Sequence, residues 1–249
     1  MTEADEFKSG GFRYVPGVFQ YSAGVAALPG YAIRRVRFVR PVALTEGFRR
    51  IKTILEEAGR PTAAFCACEL RSPKPFTENG FAEFNRHYVG TLAEWGLFDG
   101  TRNPVARSNV CPAIDPPAEP SFHAFSFTVP AANQTSFVIS GSAEASEGAS
   151  SYESKTVRLG ETTPDAMREK AKFVLGEMER RMQCLGFAWS DTTDTQVYTV
   201  HDLFPFFGDE IARRGAARNG LTWHFNRPPV QNLEFEMDCR RVTHEHITM

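Results

Sequence analysis

LTEGFRRIKTILEEAGR (residues 44–60) and AAFCACEL (residues 63–70), which follow each other closely, decide the fold class of this chain. In the first stretch, apolar residues recur every three or four positions, which predicts an amphipathic helix with Thr45 as its N-cap and Gly59 at its end. The second stretch is a short apolar run, which predicts a buried strand. A helix that leads into a buried strand indicates that helices pack against a sheet.

The rest of the first half places more strands and a second helix around this core. Its predicted elements are strands at 19–25 and 31–40, the helix and strand above, a helix at 81–95, and strands at 105–110 and 121–129. The 21 phenylalanines often alternate with polar residues in these strands, as expected of sheets with one buried face.

The second half repeats this order at an offset of roughly 110–120 residues. Its predicted elements are strands at 136–141 and around Val157, a helix from Thr163 to Gly186, a strand at 195–201, a short helix at 206–214, and strands at 221–225 and 233–242. We therefore predict an α+β protein of two tandem units, residues 1–130 and 131–249. Each unit is expected to be a mixed sheet with two helices packed on one face. The Ser-, Glu- and Gly-rich stretch 144–154 is predicted to be a mobile loop.

Composition excludes several classes of protein. The chain has 28 basic and 30 acidic residues, and this net charge of −2 argues against nucleic acid as a partner. No apolar run is long enough to predict a transmembrane helix, and MTEADEFKSG at the start lacks the pattern of a signal peptide. Five cysteines at irregular spacing do not indicate a disulfide framework. A cytoplasmic protein without a membrane partner is expected.

Four motifs of the first half lie in a specific order: FQYSAGV (19–25), FRRIKTILEEAG (48–59), FAEFNRHYVGTL (81–92) and PVARSNV (104–110). Together they resemble the RidA/YjgF family of imine and enamine deaminases. The second half resembles the same family more weakly, in FVISG (137–141), VYTVHD (197–202) and LEFEMDC (233–239). A tandem protein of this length looks most like the 2-aminomuconate and 2-amino-5-chloromuconate deaminases within that family.

The resemblance implies hydrolytic deamination of an enamine or imine carboxylic acid, with release of ammonia. Water is the nucleophile in such a reaction, so no cofactor is expected. Family sites form between neighbouring units of a trimeric ring, which implies a homo-oligomer, most simply a trimer of tandem chains. Two other functions stay open on this scaffold: a non-catalytic protein that binds or senses a small molecule, and a chorismatase-like hydrolase.

Arg107 stands where the family binds the substrate carboxylate. Arginine suits that task because its planar fork donates two parallel hydrogen bonds; the alternative is a surface arginine that ends a strand. Asn109 and Cys111 follow at intervals of two, so a regular strand would place all three on one face. Asn109 would hold a water molecule or the substrate amino group. Cys111 would contact the substrate or simply fill space.

A proton carrier is expected on the last strand of a unit, where the family has a water-activating glutamate. In the first half His123 lies near that place, with Glu119 just upstream, and a histidine can act as a general base near neutral pH. His123 would otherwise be a structural residue in a Phe-rich strand. In the second half Glu236 matches the position better, so a composite site of Arg107 and Glu236 is predicted.

Four other features carry weaker predictions. A dicarboxylate needs a second cation, for which Arg71 and Arg227 are candidates. Cys66 and Cys68 share a strand face, but without a second ligand pair no metal site is predicted. The arginines of RRVRFVR (34–40) are interpreted as a solvated face rather than an anion-attracting rim. The histidines at 244–246 are interpreted as a frayed tail.

Overall fold

The computed structural model describes residues 4–147 and 151–249. Within these ranges thirteen strands occur: β1 (Asp5–Phe7), β2 (Phe12–Val15), β3 (Gly24–Ala27), β4 (Tyr31–Ala43), β5 (Phe65–Arg71), β6 (Ala106–Pro112), β7 (Ser121–Pro130), β8 (Phe137–Ala143), β9 (Asp194–Tyr198), β10 (Thr222–His224), β11 (Asn226–Arg227), β12 (Glu236–Arg241) and β13 (His244–Thr248). The helices are α1 (Leu44–Glu57), α2 (Glu78–Glu94), α3 (Tyr152–Lys155), α4 (Pro164–Cys184) and α5 (Phe204–Phe206), with 3-10 turns at Thr62–Ala64 and Trp189–Asp191 and a π-helix at Phe207–Ala212.

The strands form two mixed sheets. The six-stranded sheet has the order β11-β6-β5-β7-β4-β13, and the seven-stranded sheet has the order β1-β2-β3-β8-β12-β9-β10. The pairs β5–β6 and β9–β10 run parallel, and a parallel pair needs a crossover connection, here made through helical segments. The cores β4-β7-β5-β6 and β8-β12-β9-β10 repeat one order. The predicted α+β fold of two related units is confirmed.

The helices bury their apolar faces against the sheets as their spacing predicts. Phe48 of α1 packs against Tyr88 of α2 and Phe122 of β7, at centroid distances of 6.0 and 4.9 Å. Such tilted and edge-on pairs are favourable geometries for aromatic rings. Along α4 every apolar residue of the predicted stripe is buried against the seven-stranded sheet: Met167, Ala171, Val174, Met178, Met182 and Leu185.

The helix ends follow local rules with one exception. Thr163 caps α4 by accepting a hydrogen bond from the N–H of Ala166, and Gly59 and Gly186 end their helices with positive φ, which glycine adopts at little cost. Thr45 is not the N-cap of α1. That helix begins one residue earlier, at Leu44, because β4 runs directly into it through Ala43.

The two halves of the chain exchange strands. β3 from the first half pairs with β8 from the second, and this extends the seven-stranded sheet with β1 and β2. In return β13, at the end of the chain, pairs in parallel with β4. The boundary predicted between residues 130 and 131 coincides with the end of β7, and the division into domains stays a prediction.

Two surface predictions are wrong for the same reason. Residues 244–246 belong to β13 rather than to a frayed tail, and Arg35 is only 2% exposed rather than solvated. Arg35 donates two hydrogen bonds to Glu69, at 2.7 and 2.8 Å, and also pairs with Glu245 of β13 at 2.7 Å. Segments far along the chain cover this side of β4, which local patterning does not reveal.

The segment after β8 also differs from the prediction. Glu144 is fully buried and pairs with Lys170 of α4 at 3.1 Å, and Tyr152–Lys155 is the short helix α3. Residues 148–150 of the predicted loop lie outside the described residues. Val157 lies in a turn rather than in a strand, and its carbonyl accepts a second hydrogen bond from Lys170. The buried ammonium of Lys170 therefore fixes both Glu144 and Val157, which lie on either side of α3.

Polar side chains fill the space between the two sheets. Glu69 of β5 accepts hydrogen bonds from Gln196 of β9 at 3.3 Å and from Arg240 of β12 at 3.4 Å. Asp238 of β12 accepts from Gln196 and Tyr198, at 2.9 and 2.8 Å. Buried charges need such partners, so the network fixes how the two sheets face each other. None of the helices in the described ranges is long and apolar enough to cross a membrane.

Candidate active site

A cavity of about 340 Å³ opens where the two halves of the chain meet. Its wall includes Arg107 and Asn109 from β6, Gly141 from β8, Arg181 from α4 and Glu236 from β12. Parts of α2 and of the segment before β3 complete it. The structure thus brings together Arg107, Asn109 and Glu236, three of the residues that the sequence singled out.

Arg107 lies deep in this wall and lacks a full set of partners. It is 2% exposed, and its Nη2 donates to Oδ1 of Asn85 at 2.7 Å, while Nη1 is buried without a hydrogen-bond partner in the described part of the chain. The guanidinium carbon lies 4.8–5.8 Å from the ring centroids of four aromatic residues, Tyr21, Phe81, Phe84 and Tyr88. The electron-rich ring faces stabilise the buried charge, but the unpaired N–H still favours an anion.

Asn109 lies two residues further along β6. Its Oδ1 accepts a hydrogen bond from Oγ of Ser72 at 2.9 Å, which orients the amide, and its buried Nδ2 has no partner within the described ranges. Period two along the strand places Asn109 and Arg107 on the same side. Both residues line the cavity and each has a donor without a partner in the described ranges, a combination that suits a carboxylate.

Glu236 contributes an acid to the same cavity. Burial raises the pKa of its carboxyl well above the usual value, and the nearby charges of Asp238 and Glu144 raise it further. The guanidinium groups of Arg107 and Arg181 lower that pKa but do not cancel the effect of burial. The raised pKa favours the protonated form of Glu236, which is able to donate a proton.

The position of Glu236 depends on the segment that precedes β12. Glu144 accepts hydrogen bonds from the backbone N–H groups of Glu234, at 2.6 Å, and Phe235, at 3.0 Å. Glu144 is itself fixed by Lys170. This buried ion pair thus holds the backbone immediately before Glu236 and positions the acid without contacting the cavity itself.

Gly141 makes room for the Glu236 carboxyl. A Cβ built at residue 141 would overlap Oε1 of Glu236 and lie 3.0 Å from Cβ of Ser108. We expect Gly141→Ala to lower kcat/KM by about 100-fold, because a displacement of a reacting group by about 1 Å has that order of effect. Steady-state kinetics on the deamination substrate measure it. Gly176→Ala in α4, where a Cβ meets no atom within 4 Å, is the matched control. Full activity in Gly141→Ala would contradict the placement of Glu236.

His123 lies away from this cavity. Its ring centroid is 6.4 Å from that of His224, between the sheets, and it is not part of the cavity wall. Burial, aided by the positive charge of Arg71, lowers the pKa of His123 to about 2, so the imidazole is a poor proton acceptor. His123 therefore lies outside the candidate site. His123 lies there because the face of β7 that carries it is turned toward the seven-stranded sheet.

We expect His123→Asn to keep kcat/KM within about three-fold of the original chain, whereas loss of a general base typically costs about 10²–10⁴-fold. The same deamination assay measures this difference, with the melting temperature as the control for folding. A hundred-fold loss at an unchanged melting temperature would restore His123 to the site.

The remaining sequence candidates also lie outside the cavity wall. Arg71 is buried above the ring of Tyr198, 5.4 Å from its centroid, and Arg227 pairs with Glu234 at 3.0 Å on an exposed edge. Burial raises the pKa of the Cys111 thiol to about 12, so it is a neutral filler beside the site. Glu119 lies before β7 and does not line the cavity.

The thiols of Cys66 and Cys68 contact different partners and do not share a ligand. Cys66 donates to the carbonyl of Ser126 at 3.4 Å, and Sγ of Cys68 lies 3.3 Å from Oη of Tyr88. In the described part of the chain, no group of three or more His, Cys, Asp and Glu residues has the geometry of a metal site.

Sequence reasoning missed two side chains of the wall. Gln20 has a buried Oε1 without a partner among the described residues, and Arg181 is 1% exposed. The signal for Arg181 was present, because it lies three residues after Met178 of the apolar stripe and so falls on the buried face of α4. Gln20 lies in the stretch 19–25 that the sequence predicts to be a strand, whereas β3 begins only at Gly24 and Gln20 lies in a turn, so strand periodicity did not indicate its place in the wall.

Comparisons with known proteins show the family of this chain. A sequence model of the 2-aminomuconate deaminase CnbZ family matches residues 4–246. The 2-amino-5-chloromuconate deaminase of Comamonas testosteroni is 49% identical over 250 residues, which cover 99% of this chain and all of that protein. Among solved structures, a putative endoribonuclease of Thermotoga maritima (20% identity, 44% of this chain and 80% of that chain) has a TM-score of 0.34. The YjgF gene product of E. coli (14% identity, 46% and 85%) has a TM-score of 0.32. The chain belongs to the 2-aminomuconate deaminase CnbZ family.

Proposed function

We propose that this protein is a hydrolytic deaminase of 2-aminomuconate or 2-amino-5-chloromuconate, which it converts to the 2-hydroxymuconate with release of ammonia. The names of the family and of the relative from Comamonas testosteroni support the reaction. The single observation that carries it in the structure is the unpaired Nη1 of Arg107, buried in a cavity that also holds the raised-pKa acid Glu236.

Arg107 and Asn109 would bind the carboxylate next to the amino-bearing carbon. Their unpaired N–H groups supply two donors, and a charge-assisted bond to Arg107 is the stronger of the two. Gln20 Oε1 is an acceptor in the same wall and would accept a hydrogen bond from the substrate amino group. The enamine would thus be oriented at both groups of its reacting end.

Glu236 would carry the protons of the reaction. In its acid form it protonates C3 of the enamine, which gives an iminium at C2. Water then attacks C2, the π electrons of the C=N bond move to nitrogen, and the Glu236 carboxylate accepts a proton from the water. Glu236 then passes this proton to nitrogen and accepts the proton of the new hydroxyl group as the C–N bond breaks, so that ammonia leaves and a carbonyl forms at C2. The carbonyl tautomerises to the hydroxymuconate.

Ammonia release tests the proposal. Purified protein is mixed with 2-aminomuconate formed in situ, with 2-aminoacrylate, and separately with chorismate. We expect ammonia from 2-aminomuconate at a rate proportional to protein concentration, and no change in the ultraviolet absorbance of chorismate. Ammonia at the buffer rate only would leave a binding protein as the better description, and loss of chorismate absorbance would indicate the chorismatase-like reaction.

We also propose that the chain acts in the cytoplasm as a homo-oligomer, with a trimer as the simplest assembly. Five free cysteines suit a reducing compartment. Large apolar side chains are exposed near one sheet edge, with Ile114 at 70% and Phe225 at 51%, and the Ala113 N–H donates to the Phe225 carbonyl and so brings them together. A second copy of the chain would cover this surface. A monomer in light scattering at micromolar concentration would contradict the assembly.

A further inference from the structure

Arg181 of α4 is a second guanidinium in the cavity wall. Its Nη1 donates to the carbonyls of Ser140 and Gly141 on β8, at 3.0 and 3.2 Å, which fixes the plane of the group. Its Nη2 donates to Glu147 at 2.9 Å and weakly to Ser142 at 3.3 Å. A buried, fixed cation of this kind loses little conformational entropy when it binds an anion.

The edge of the Arg181 guanidinium that Nε and Nη2 form makes fewer hydrogen bonds than it is able to make. This is the edge that binds a carboxylate through two parallel bonds, as Arg35 does with Glu69 in this same chain. In Arg181 it holds Glu147 through Nη2 alone. Nε is buried without a hydrogen-bond partner in the described ranges, and a carboxylate oxygen of Glu177 lies 3.9 Å from it, beyond hydrogen-bond distance.

Glu147 is a replaceable partner. Glu147 follows β8 at an exposed position, and its side chain keeps 29% of its surface accessible. A ligand carboxylate that takes its place on Arg181 would gain the second bond at Nε, while Glu147 would regain water. The exchange of one carboxylate for another also keeps the Arg181 charge compensated.

The two guanidinium groups and the carboxyl of Glu236 line the same cavity. The positive charges of Arg107 and Arg181 both lower the pKa of Glu236, as expected of cations near the acid. A ligand with a carboxylate at each end, bound between the two arginines, would therefore pass close to Glu236. A ligand with one carboxylate would use Arg107 alone.

We propose that Arg181 binds the distal carboxylate of the substrate and makes the site selective for dicarboxylates. The inference rests on the proposed function, since it assigns the second charge of a muconate. Arg181 takes the place of Arg71 and Arg227 as the candidate for the second cation, because neither of those arginines lines the cavity. Lys155 at the cavity wall, 5.1 Å from the ring centroid of Tyr152, is the competing cation.

The test compares two unreactive ligands, trans,trans-muconate and trans,trans-2,4-hexadienoate. They share a six-carbon diene and differ in having two carboxylates or one. Calorimetry on the full chain should show that muconate binds about ten-fold tighter or more, as expected of one charge-assisted contact. Arg181→Gln should remove this preference and leave hexadienoate affinity within about two-fold. Lys172→Gln, on the same helix but paired with Glu210 outside the cavity wall, should change neither.

Glu147→Gln is a second variant that leaves the buried arginine in place. It removes the competing carboxylate, so muconate should bind several-fold tighter while hexadienoate is unchanged. Equal weakening of both ligands by Arg181→Gln would mean that the arginine only supports the fold. An intact preference in Arg181→Gln would point to Lys155. Either result, or no gain in Glu147→Gln, overturns the proposal. Neither ligand reacts, so the binding measurements test the role of Arg181 without the deamination assay. A failure of that assay would contradict the proposed function and can be told apart from a failure of the binding test.

Discussion

Arg107→Ala is expected to lower kcat/KM for the aminomuconate substrate by about two orders of magnitude or more, because a hydrogen bond to a charged group contributes about 1.5–3 kcal/mol. The substitution also leaves the substrate carboxylate buried among four aromatic rings without a donor. Arg107→Lys should recover little activity, because a compact ammonium does not reproduce the planar fork whose one arm donates to Asn85.

The matched control is Arg102→Ala, five residues upstream, where the exposed side chain pairs with Asp99 in a surface turn. It should keep full activity. Melting temperatures of both variants separate loss of binding from loss of folding. Retained activity in Arg107→Ala, or a loss that is explained by unfolding, would show that the carboxylate is bound elsewhere in the cavity.

Glu236→Gln is expected to lower kcat by about 10²–10⁴-fold, the usual contribution of a positioned acid or base. It should also stabilise the fold at alkaline pH. The folded protein holds the pKa of Glu236 above its unfolded value, so its contribution to stability is present below the unfolded pKa and is lost as pH rises through the folded pKa. Glutamine does not titrate, and the variant escapes this loss.

Melting temperatures of the two proteins at pH 5 and pH 8 measure the second effect. The variant should gain stability over the original chain between the two values, while its activity stays low at both. Glu94→Gln, at an exposed position of α2, should change neither quantity. A Glu236→Gln protein that deaminates at the original rate, or that loses stability more at pH 8 than at pH 5, would exclude a protonated carboxyl at this site.

Local patterning was sufficient for the long helices α1, α2 and α4, apart from the exact start of α1. The stripe from Met167 to Leu185 and the cap at Thr163 follow from spacing and from backbone hydrogen bonding, which act over a few residues. The motif around Arg107 likewise placed Arg107 and Asn109 on one side of β6, because side chains alternate along a strand. These properties depend on neighbours in the chain, so the sequence by itself determined them.

The completed site depended on contacts between distant segments. The sequence matched both Glu236 and His123 to the position of the proton carrier, and only the packing of the sheets placed Glu236 in the cavity and buried His123 beside His224. The exchange of β1–β3 and β13 between the halves decided which strand edges were covered. Arg181 gained its role only when α4 brought it to the carbonyls of β8. The burial of a side chain, its pKa and the shape of the cavity all depend on residues far apart in the sequence. The tertiary structure alone therefore sets them.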